Sequence, residues 1–156
     1  MSNPFTVVRD TREQKPWTFR KTEYCTGTID QKLDHGDYAI EGLEHKIFIE
    51  RKASEVEIAG NVIEKRFPKL LLAAEKYEYR FIICEFSLDR VLNYPFGSDL
   101  PASVKKRIKV RGPYLLSNIQ NWQINHGIHV VFCDNKSYAQ KFTLSLMKKI
   151  AKMEGL

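Results

Sequence analysis

The 156-residue sequence lacks several features that would set it apart from ordinary globular proteins. Its three cysteines, at positions 25, 84 and 133, form no C-x-x-C motif and no paired cysteine–histidine spacing. We therefore expect reduced thiols, without a disulfide framework or a zinc site. The N-terminal segment has no apolar signal region, and no window approaches the roughly 20 apolar residues of a membrane span. These absences predict an intracellular protein, located in the cytoplasm or nucleoid if prokaryotic or from a phage and otherwise in the nucleus.

Basic residues outnumber acidic ones, which gives a net charge of +6 and a pI near 9.2. This balance favours an anionic partner, with nucleic acid ahead of an acidic membrane surface. A soluble protein that is merely basic is the alternative. Internal repeats, low-complexity tracts and long linkers are absent, so we predict one domain over residues 1–156.

The apolar segments predict an α/β protein with a mixed central β-sheet and helices on both faces. The sheet should be antiparallel at a hairpin and parallel where helices cross over. Residues 17–34 carry little periodicity, and no element is predicted there. The expected strands cover 5–10, 38–41, 46–51, 80–86 and 128–133. Helices are expected in two pieces around Pro68 over 53–77, within 100–127 and over 137–154. In the last helix we expect an apolar stripe to pack on the sheet or on a second subunit: Tyr138, Phe142, Leu146 and Ile150.

The hairpin "GDYAIEGLEHKIFIERK" (36–52) has a predictable register. A turn at "GLEH" (42–45) pairs Tyr38 with Ile49, Glu41 with Lys46, and Asp37 with Glu50. One face of this hairpin is then wholly apolar, which fixes the register.

Two carboxylates placed opposite each other have their Cβ atoms about 5 Å apart and repel. A divalent cation held between Asp37 and Glu50 would explain the pair, because carboxylate oxygens suit Mg²⁺. Lys52 lies on the same face as Glu50 and could stabilise charge on a phosphate. Arg51 points to the other face, and its role stays open. The alternative is that Asp37 and Glu50 are solvated ends of a surface hairpin.

A third acidic position follows the first strand. In "VVRDTREQ", Asp10 lies three residues before Glu13, with Arg12 between them. By itself Asp10 could equally be a turn residue or a helix cap.

Together, "VRDTRE" (8–13), "GDY" (36–38) and "IERK" (49–52) resemble the nuclease domain of the XPF family of structure-specific endonucleases. That family lies within the PD-(D/E)xK nucleases, and the acid-x-lysine core would be residues 50–52. The resemblance extends to Arg66, "FIICEF" (81–86) and "IHVVFC" (128–133), and it covers about residues 5 to 150. It implies a restriction-endonuclease-like fold.

The resemblance also implies Mg²⁺- or Mn²⁺-dependent hydrolysis of DNA phosphodiesters in branched or flapped DNA, in repair, recombination or the processing of replication intermediates. Asp37 and Glu50 would bind the metal, with Asp10 as a further ligand, and Lys52 would be the catalytic lysine. The remaining site residues would be Arg12, Glu13, Arg51 and Arg66, with the arginines touching phosphate.

The sequence departs from the family pattern at two points. An Asp usually follows the lysine, but Val56 stands at the strict spacing between Glu55 and Glu57; we take Glu57 as the equivalent metal ligand. The family also carries a tandem helix-hairpin-helix module that grips duplex DNA, and we expect none here. Strong selectivity for branched DNA would then require a homodimer or a separate DNA-binding or helicase partner.

The segment "VKKRIKVRG" (104–112) is basic and has no acid. It predicts a phosphate-binding surface formed by Lys105, Lys106, Arg107, Lys109 and Arg111. The alternative is an ordinary solvated loop.

Two alternatives to an active XPF-type nuclease stay open. One is a catalytically silent DNA-binding scaffold, although inactive members lose the motif acids and the lysine that this chain keeps. The other is a different PD-(D/E)xK enzyme, such as a resolvase or a restriction-like nuclease.

Overall fold

The computed structural model describes residues 3–156, which form a six-stranded sheet with helices on both faces. The strands are β1 (Phe5–Arg9), β2 (Cys25–Asp30), β3 (Tyr38–Ile40), β4 (Ile47–Lys52), β5 (Tyr79–Cys84) and β6 (His129–Phe132). The helices are α1 (Glu55–Ile63), α2 (Phe67–Ala74), α3 (Leu88–Leu92), α4 (Ala102–Lys105), α5 (Gly112–His126) and α6 (Lys136–Met153).

The strand order β2-β1-β3-β4-β5-β6 confirms the predicted mixed sheet. β3 runs antiparallel to β1 and β4, whereas the β1–β2, β4–β5 and β5–β6 pairs are parallel. The carboxyl ends of β1, β4, β5 and β6 therefore meet at one edge, where β3 begins. Residues far apart in the sequence converge at this edge, as in other open α/β sheets.

β2 lies in the region where no element was predicted. It is an edge strand that pairs in parallel with β1, and only its first residue, Cys25, is buried. Its sequence, CTGTID, shows neither an apolar run nor a clear alternation, and Gly27 has a positive φ of 122°. An edge strand held mainly by backbone pairing gives little hydrophobic signal.

β4 is the centre of the core, and all six of its residues are buried. Ile47 and Ile49 pack with α6 on one face, while Phe48 packs with α1, α2 and α5 on the other. The expectation of a single apolar hairpin face was therefore wrong. The expected pairing of Glu41 with Lys46 does not form, because the Lys46 ammonium lies 2.7 Å from Glu154 instead.

The two helix pieces around Pro68 are confirmed as α1 and α2, with Pro68 in the first turn of α2. The long helices α5 and α6 are also confirmed, and short α3 and α4 were not predicted. The predicted stripe of α6 is mostly not its buried face, since Tyr138 is 55% exposed and Phe142 is 38% exposed. The buried positions are Ala139, Thr143, Met147, Ile150 and Ala151.

Cys25, Cys84 and Cys133 are free thiols, and all three are buried. Among the described residues, no helix combines the length and the apolar character that crossing a bilayer requires.

Candidate active site

Asp37 and Glu50 are brought together by the register of the hairpin. Tyr38 pairs with Ile49, as the sequence predicted, and Asp37 immediately precedes β3. The Asp37 N–H donates to the carbonyl of Ile49 at 2.7 Å, and the Arg51 N–H donates to Asp37 Oδ2 at 2.8 Å. The Asp37 side chain thus takes the place of a ladder acceptor, which holds its carboxylate against β4.

The two carboxyl groups interact unfavourably when both are charged. Burial is the main cause that raises the pKa of Asp37 well above its usual value, and the charge of Glu50 is the next. The hydrogen bond from the Arg51 N–H opposes this rise but does not cancel it. A divalent cation would relieve both effects, and two carboxylates are the oxygen donors that Mg²⁺ prefers. In residues 3–156, no set of three or more His, Cys, Asp or Glu side chains is arranged to hold a metal. A cation between Asp37 and Glu50 would therefore need further ligands, either water molecules or side chains that move toward it.

Lys52 completes this face of β4. Its ammonium lies 3.2 Å from Glu50 Oε2 and 5.0 Å from the ring centroid of Phe67 at the start of α2. Glu50 and Lys52 are both buried, with the Lys52 residue only 6% exposed. The alternative interpretation was that Asp37 and Glu50 are solvated ends of a surface hairpin; Glu50 is buried and Asp37 is half-buried, so neither is a solvated end.

Arg51 points to the opposite face, as alternation along a strand requires. Its Nε donates to Glu85 at 2.6 Å, and its Nη1 donates to Glu13 at 3.2 Å. The Trp17 indole N–H donates to Glu85 at 2.6 Å, and the Tyr38 hydroxyl donates to Glu13 at 2.7 Å. These five residues form a connected network behind the strand that carries Glu50 and Lys52.

The network gives Arg51 a structural role, which the sequence left open. It also contains Glu85 and Trp17, which the sequence analysis did not include in the site. Nε, Nη1 and Nη2 of Arg51 all donate to protein acceptors, so in this arrangement Arg51 supports β4 and does not reach outward to phosphate. Glu85 follows directly after β5. An acid at the carboxyl end of a buried strand is a signal from which this site residue could have been predicted. Trp17 lies in the region without periodicity and gave no such signal.

Asp10 lies at the end of β1 beside this edge and is 3% exposed. Its Oδ1 accepts from the Leu33 N–H at 2.9 Å, and its Oδ2 accepts from Arg12 Nε at 2.9 Å. Burial acts to raise the pKa of Asp10, but these hydrogen bonds outweigh it and the pKa is lowered. The structure thus places Asp10 as an anchor for Arg12, with both carboxylate oxygens already engaged.

Arg12 pairs with Asp10 and is close enough to the central acids to interact with their charge. The hydrogen bond to Asp10 is the main cause that raises the pKa of Arg12, and the charges of Asp37 and Glu50 add to it. Its side chain is 64% exposed, so it is accessible to a ligand.

A cleft of about 520 Å³ opens beside Arg12, and its lining does not include Asp37, Glu50 or Lys52. Its lining comprises Arg12, Glu13, Gln14, Lys15, Arg51, Ala53, Ser54 and Glu57. Glu57 is exposed in the first turn of α1, whereas Glu55 is buried and lies 3.7 Å from Arg90. Of the two acids that flank Val56, only Glu57 faces the cleft. Arg66 is exposed directly before α2.

Comparison with known proteins identifies the fold of the chain. No protein-family model and no curated protein sequence matches the chain. A solved structure of XPF from Aeropyrum pernix superposes with a TM-score of 0.64 at 21% identity, covering 92% of this chain and 65% of that one. The chain has the XPF fold. XPF from Aeropyrum pernix in complex with DNA also matches, with a TM-score of 0.58 at 19% identity and coverage of 96% and 64%.

The chain therefore spans just under two thirds of the length of these XPF structures. The match confirms the fold that the three motifs predicted. It extends over nearly the whole chain, so the edge that carries Asp37, Glu50 and Lys52 belongs to the XPF fold itself.

The 104–112 segment lies on the α5 face of the XPF fold, as α4 and the loop that follows it. Most of its basic side chains are exposed, and Arg111 stacks over the ring of Phe96 at 5.1 Å. Lys105 donates to the carbonyl of Phe96 at 3.1 Å. Within the part of the chain described, none of the five basic side chains pairs with a carboxylate, which leaves their charge available to an anion.

Proposed function

We propose that this protein is a metal-dependent DNA endonuclease that hydrolyses phosphodiester bonds in branched or flapped DNA. The observation that carries the proposal is the pairing of a half-buried Asp37 with a buried Glu50, with the buried Lys52 beside them, at the carboxyl edge of an XPF fold. Such a concentration of buried charge costs stability unless a ligand uses it.

Mg²⁺ or Mn²⁺ would be held by Asp37 and Glu50 and would supply charge neutralisation and Lewis acidity to the scissile phosphate. Two further acids are candidate ligands. Glu57 faces the cleft from α1, while Asp10 would first have to exchange a hydrogen bond with Arg12.

The side chains of the chain itself have distinct tasks. Lys52 can redirect its hydrogen bond from Glu50 to a phosphate oxygen and so stabilise the negative charge that develops on that oxygen. Arg12 presents an exposed guanidinium to the phosphate backbone. Arg51, held by Glu13 and Glu85, keeps β4 in the position that aligns Glu50 with Asp37.

DNA would be bound mainly through its phosphates. The 104–112 segment and Arg66 offer mostly exposed cations, which pair with no carboxylate among residues 3–156 and whose contacts add affinity without reading sequence. One of the matching XPF structures is itself a complex with DNA. The proposed setting is DNA repair, recombination or the processing of replication intermediates.

The grip on branched DNA would come from a homodimer or from a separate DNA-binding or helicase protein. Exposed apolar side chains along one flank of α6, at Tyr138, Phe142 and Met153, are suited to such a contact.

The test is a cleavage assay with labelled flap, fork, four-way junction and linear duplex DNA in Mg²⁺, Mn²⁺ or EDTA. We expect cutting of the branched substrates that EDTA, Asp37→Asn and Lys52→Ala each abolish. Lys69→Ala removes an exposed lysine on α2 and serves as the matched control, with unchanged cutting. Cutting that survives Asp37→Asn or Lys52→Ala would overturn the proposed site, and binding without any cutting would favour a silent scaffold.

A further inference from the structure

The outward side of α6 carries a concentration of positive charge that the proposed site does not use. The 18-residue helix contains lysines at positions 136, 141, 148, 149 and 152 and no acidic residue. In the described part of the chain, none of these lysines forms an ion pair. We call Lys141, Lys148, Lys149 and Lys152 the α6 lysine face.

The geometry of the helix aligns these lysines. Ala139, Thr143 and Met147 pack inward, and a repeat of 3.6 residues per turn places the lysine face on the opposite side. Lys141, Lys148 and Lys152 fall within an arc of about 40° and span about 16 Å along the helix axis. Their cations therefore form a row that faces solvent.

A neighbouring segment adds to the row. The Gln140 side chain donates to the carbonyl of Thr18 at 3.0 Å, and the Lys148 ammonium lies 4.3 Å from the ring centroid of Tyr24. Residues 18–24 thus run alongside two turns of α6. They contribute exposed Arg20 and Lys21, against one exposed acid, Glu23.

The start of α6 lies next to the cleft. The Lys136 ammonium donates to the carbonyl of Lys15 at 3.2 Å, and Lys15 lines the cleft together with Arg12. α6 packs on the face of the sheet opposite to the one that carries α5 and the 104–112 segment.

We propose that the α6 lysine face binds the phosphate backbone of a second duplex arm, while the 104–112 segment binds the first. This inference rests on the proposed function, because branched DNA presents two duplex arms that meet at the cleavage point. α6 is about 27 Å long, which matches about eight base pairs. A membrane surface is the alternative occupant, because the exposed Tyr138, Phe142 and Met153 flank the lysine face, and the vesicle measurement below tests it.

The test compares a triple variant, Lys141→Gln, Lys148→Gln and Lys152→Gln, with a charge-matched control triple, Lys32→Gln, Lys69→Gln and Lys76→Gln. All six lysines are exposed. Equilibrium binding is measured in EDTA by fluorescence anisotropy, on a flap with two duplex arms and on a short linear duplex, over a series of salt concentrations. Binding to vesicles of anionic phospholipid is measured in parallel.

We expect the α6 triple to weaken flap binding roughly tenfold or more and to reduce the salt slope of log K by roughly 2 to 3. Its affinity for the short duplex should fall less than about twofold, and the control triple should leave the flap preference intact. Equal flap affinity of the α6 triple and the unmodified protein, or an equal loss in both triples, would overturn the inference. Loss of vesicle binding with flap binding unchanged would assign α6 to a membrane instead. If the unmodified protein binds no DNA, the proposed function itself fails.

Discussion

Replacing Asp37 by Asn should stabilise the metal-free protein while it removes function. The folded state raises the pKa of Asp37, first through burial and then through Glu50. Above the ordinary value of 3.8, the unfolded chain has released this proton while the folded chain still holds it. Stability therefore falls as pH rises from about 4 through the raised folded pKa.

The size of the effect follows from this linkage. Each unit by which the folded pKa exceeds the unfolded one costs about 1.4 kcal/mol at alkaline pH. Asn keeps a side-chain oxygen that can accept from the Arg51 N–H, and the weaker neutral hydrogen bond offsets about 1 kcal/mol of the gain. We expect a net gain in the free energy of unfolding at alkaline pH, and each kcal/mol of that gain raises Tm by about 2–4 °C for a chain of this length.

The assay is thermal unfolding near pH 8 in EDTA and then with Mg²⁺. At a concentration ten times its Kd, Mg²⁺ should stabilise the unmodified protein by about 1.4 kcal/mol, or roughly 3–6 °C, and the variant by much less. Asp34→Asn, at an exposed position nearby, is the control and should behave as the unmodified protein. A lower Tm for Asp37→Asn in EDTA, or equal stabilisation of both proteins by Mg²⁺, would refute the reasoning.

Three further predictions rest on other parts of the structure. Lys52→Met should slow single-turnover cleavage roughly 100-fold or more. It should leave DNA affinity in EDTA within about twofold, because this lysine is buried. Equal cleavage rates of the variant and the unmodified protein would exclude a catalytic role for Lys52. Arg51→Met leaves the carboxylates of Glu13 and Glu85 without their cation, although these side chains are only 11% and 8% exposed. Urea unfolding should show a loss of stability of roughly 3–5 kcal/mol, and a loss below about 1 kcal/mol would contradict the network. Gly112→Ala should unfold the protein or lower its Tm by several degrees, because a Cβ would overlap with the carbonyl of Leu92. Gly60→Ala adds a Cβ in open space and should raise the free energy of unfolding by about 0.5–1 kcal/mol. The reverse order of stabilities would contradict the packing of α5 against α3.

The fold was predictable where hydrophobic burial produces a sequence pattern. β4 is buried throughout and begins with three apolar residues, the second half of β5 is buried and apolar, and the α5 and α6 segments are long enough to give a helical signal. β2 was not predictable, because this exposed edge strand is held in place by backbone pairing with β1 and not by burial of its side chains. The buried side of α6 was also misjudged, since the small residues Ala139 and Thr143 allow close packing that a search for large apolar residues overlooks.

The candidate site was partly predictable for a related reason. The Tyr38–Ile49 register follows from alternation, and it carries Asp37, Glu50 and Lys52 into one place. The network behind Arg51 depends on contacts between β4, the end of β5 and the loop at Trp17, which lies 68 residues before Glu85 in the sequence. Such contacts follow from the order of strands in the sheet, which local patterns do not specify.

The central claim is that Glu50 and Asp37 form a metal-dependent centre for DNA hydrolysis. It is tested most directly by single-turnover cleavage of a labelled flap by Glu50→Gln and by the unmodified protein, at saturating protein and in Mg²⁺. The account predicts that the unmodified protein cuts and that Glu50→Gln is slower by roughly 100-fold or more, with equal flap binding in EDTA. Cleavage by Glu50→Gln at the unmodified rate would contradict it.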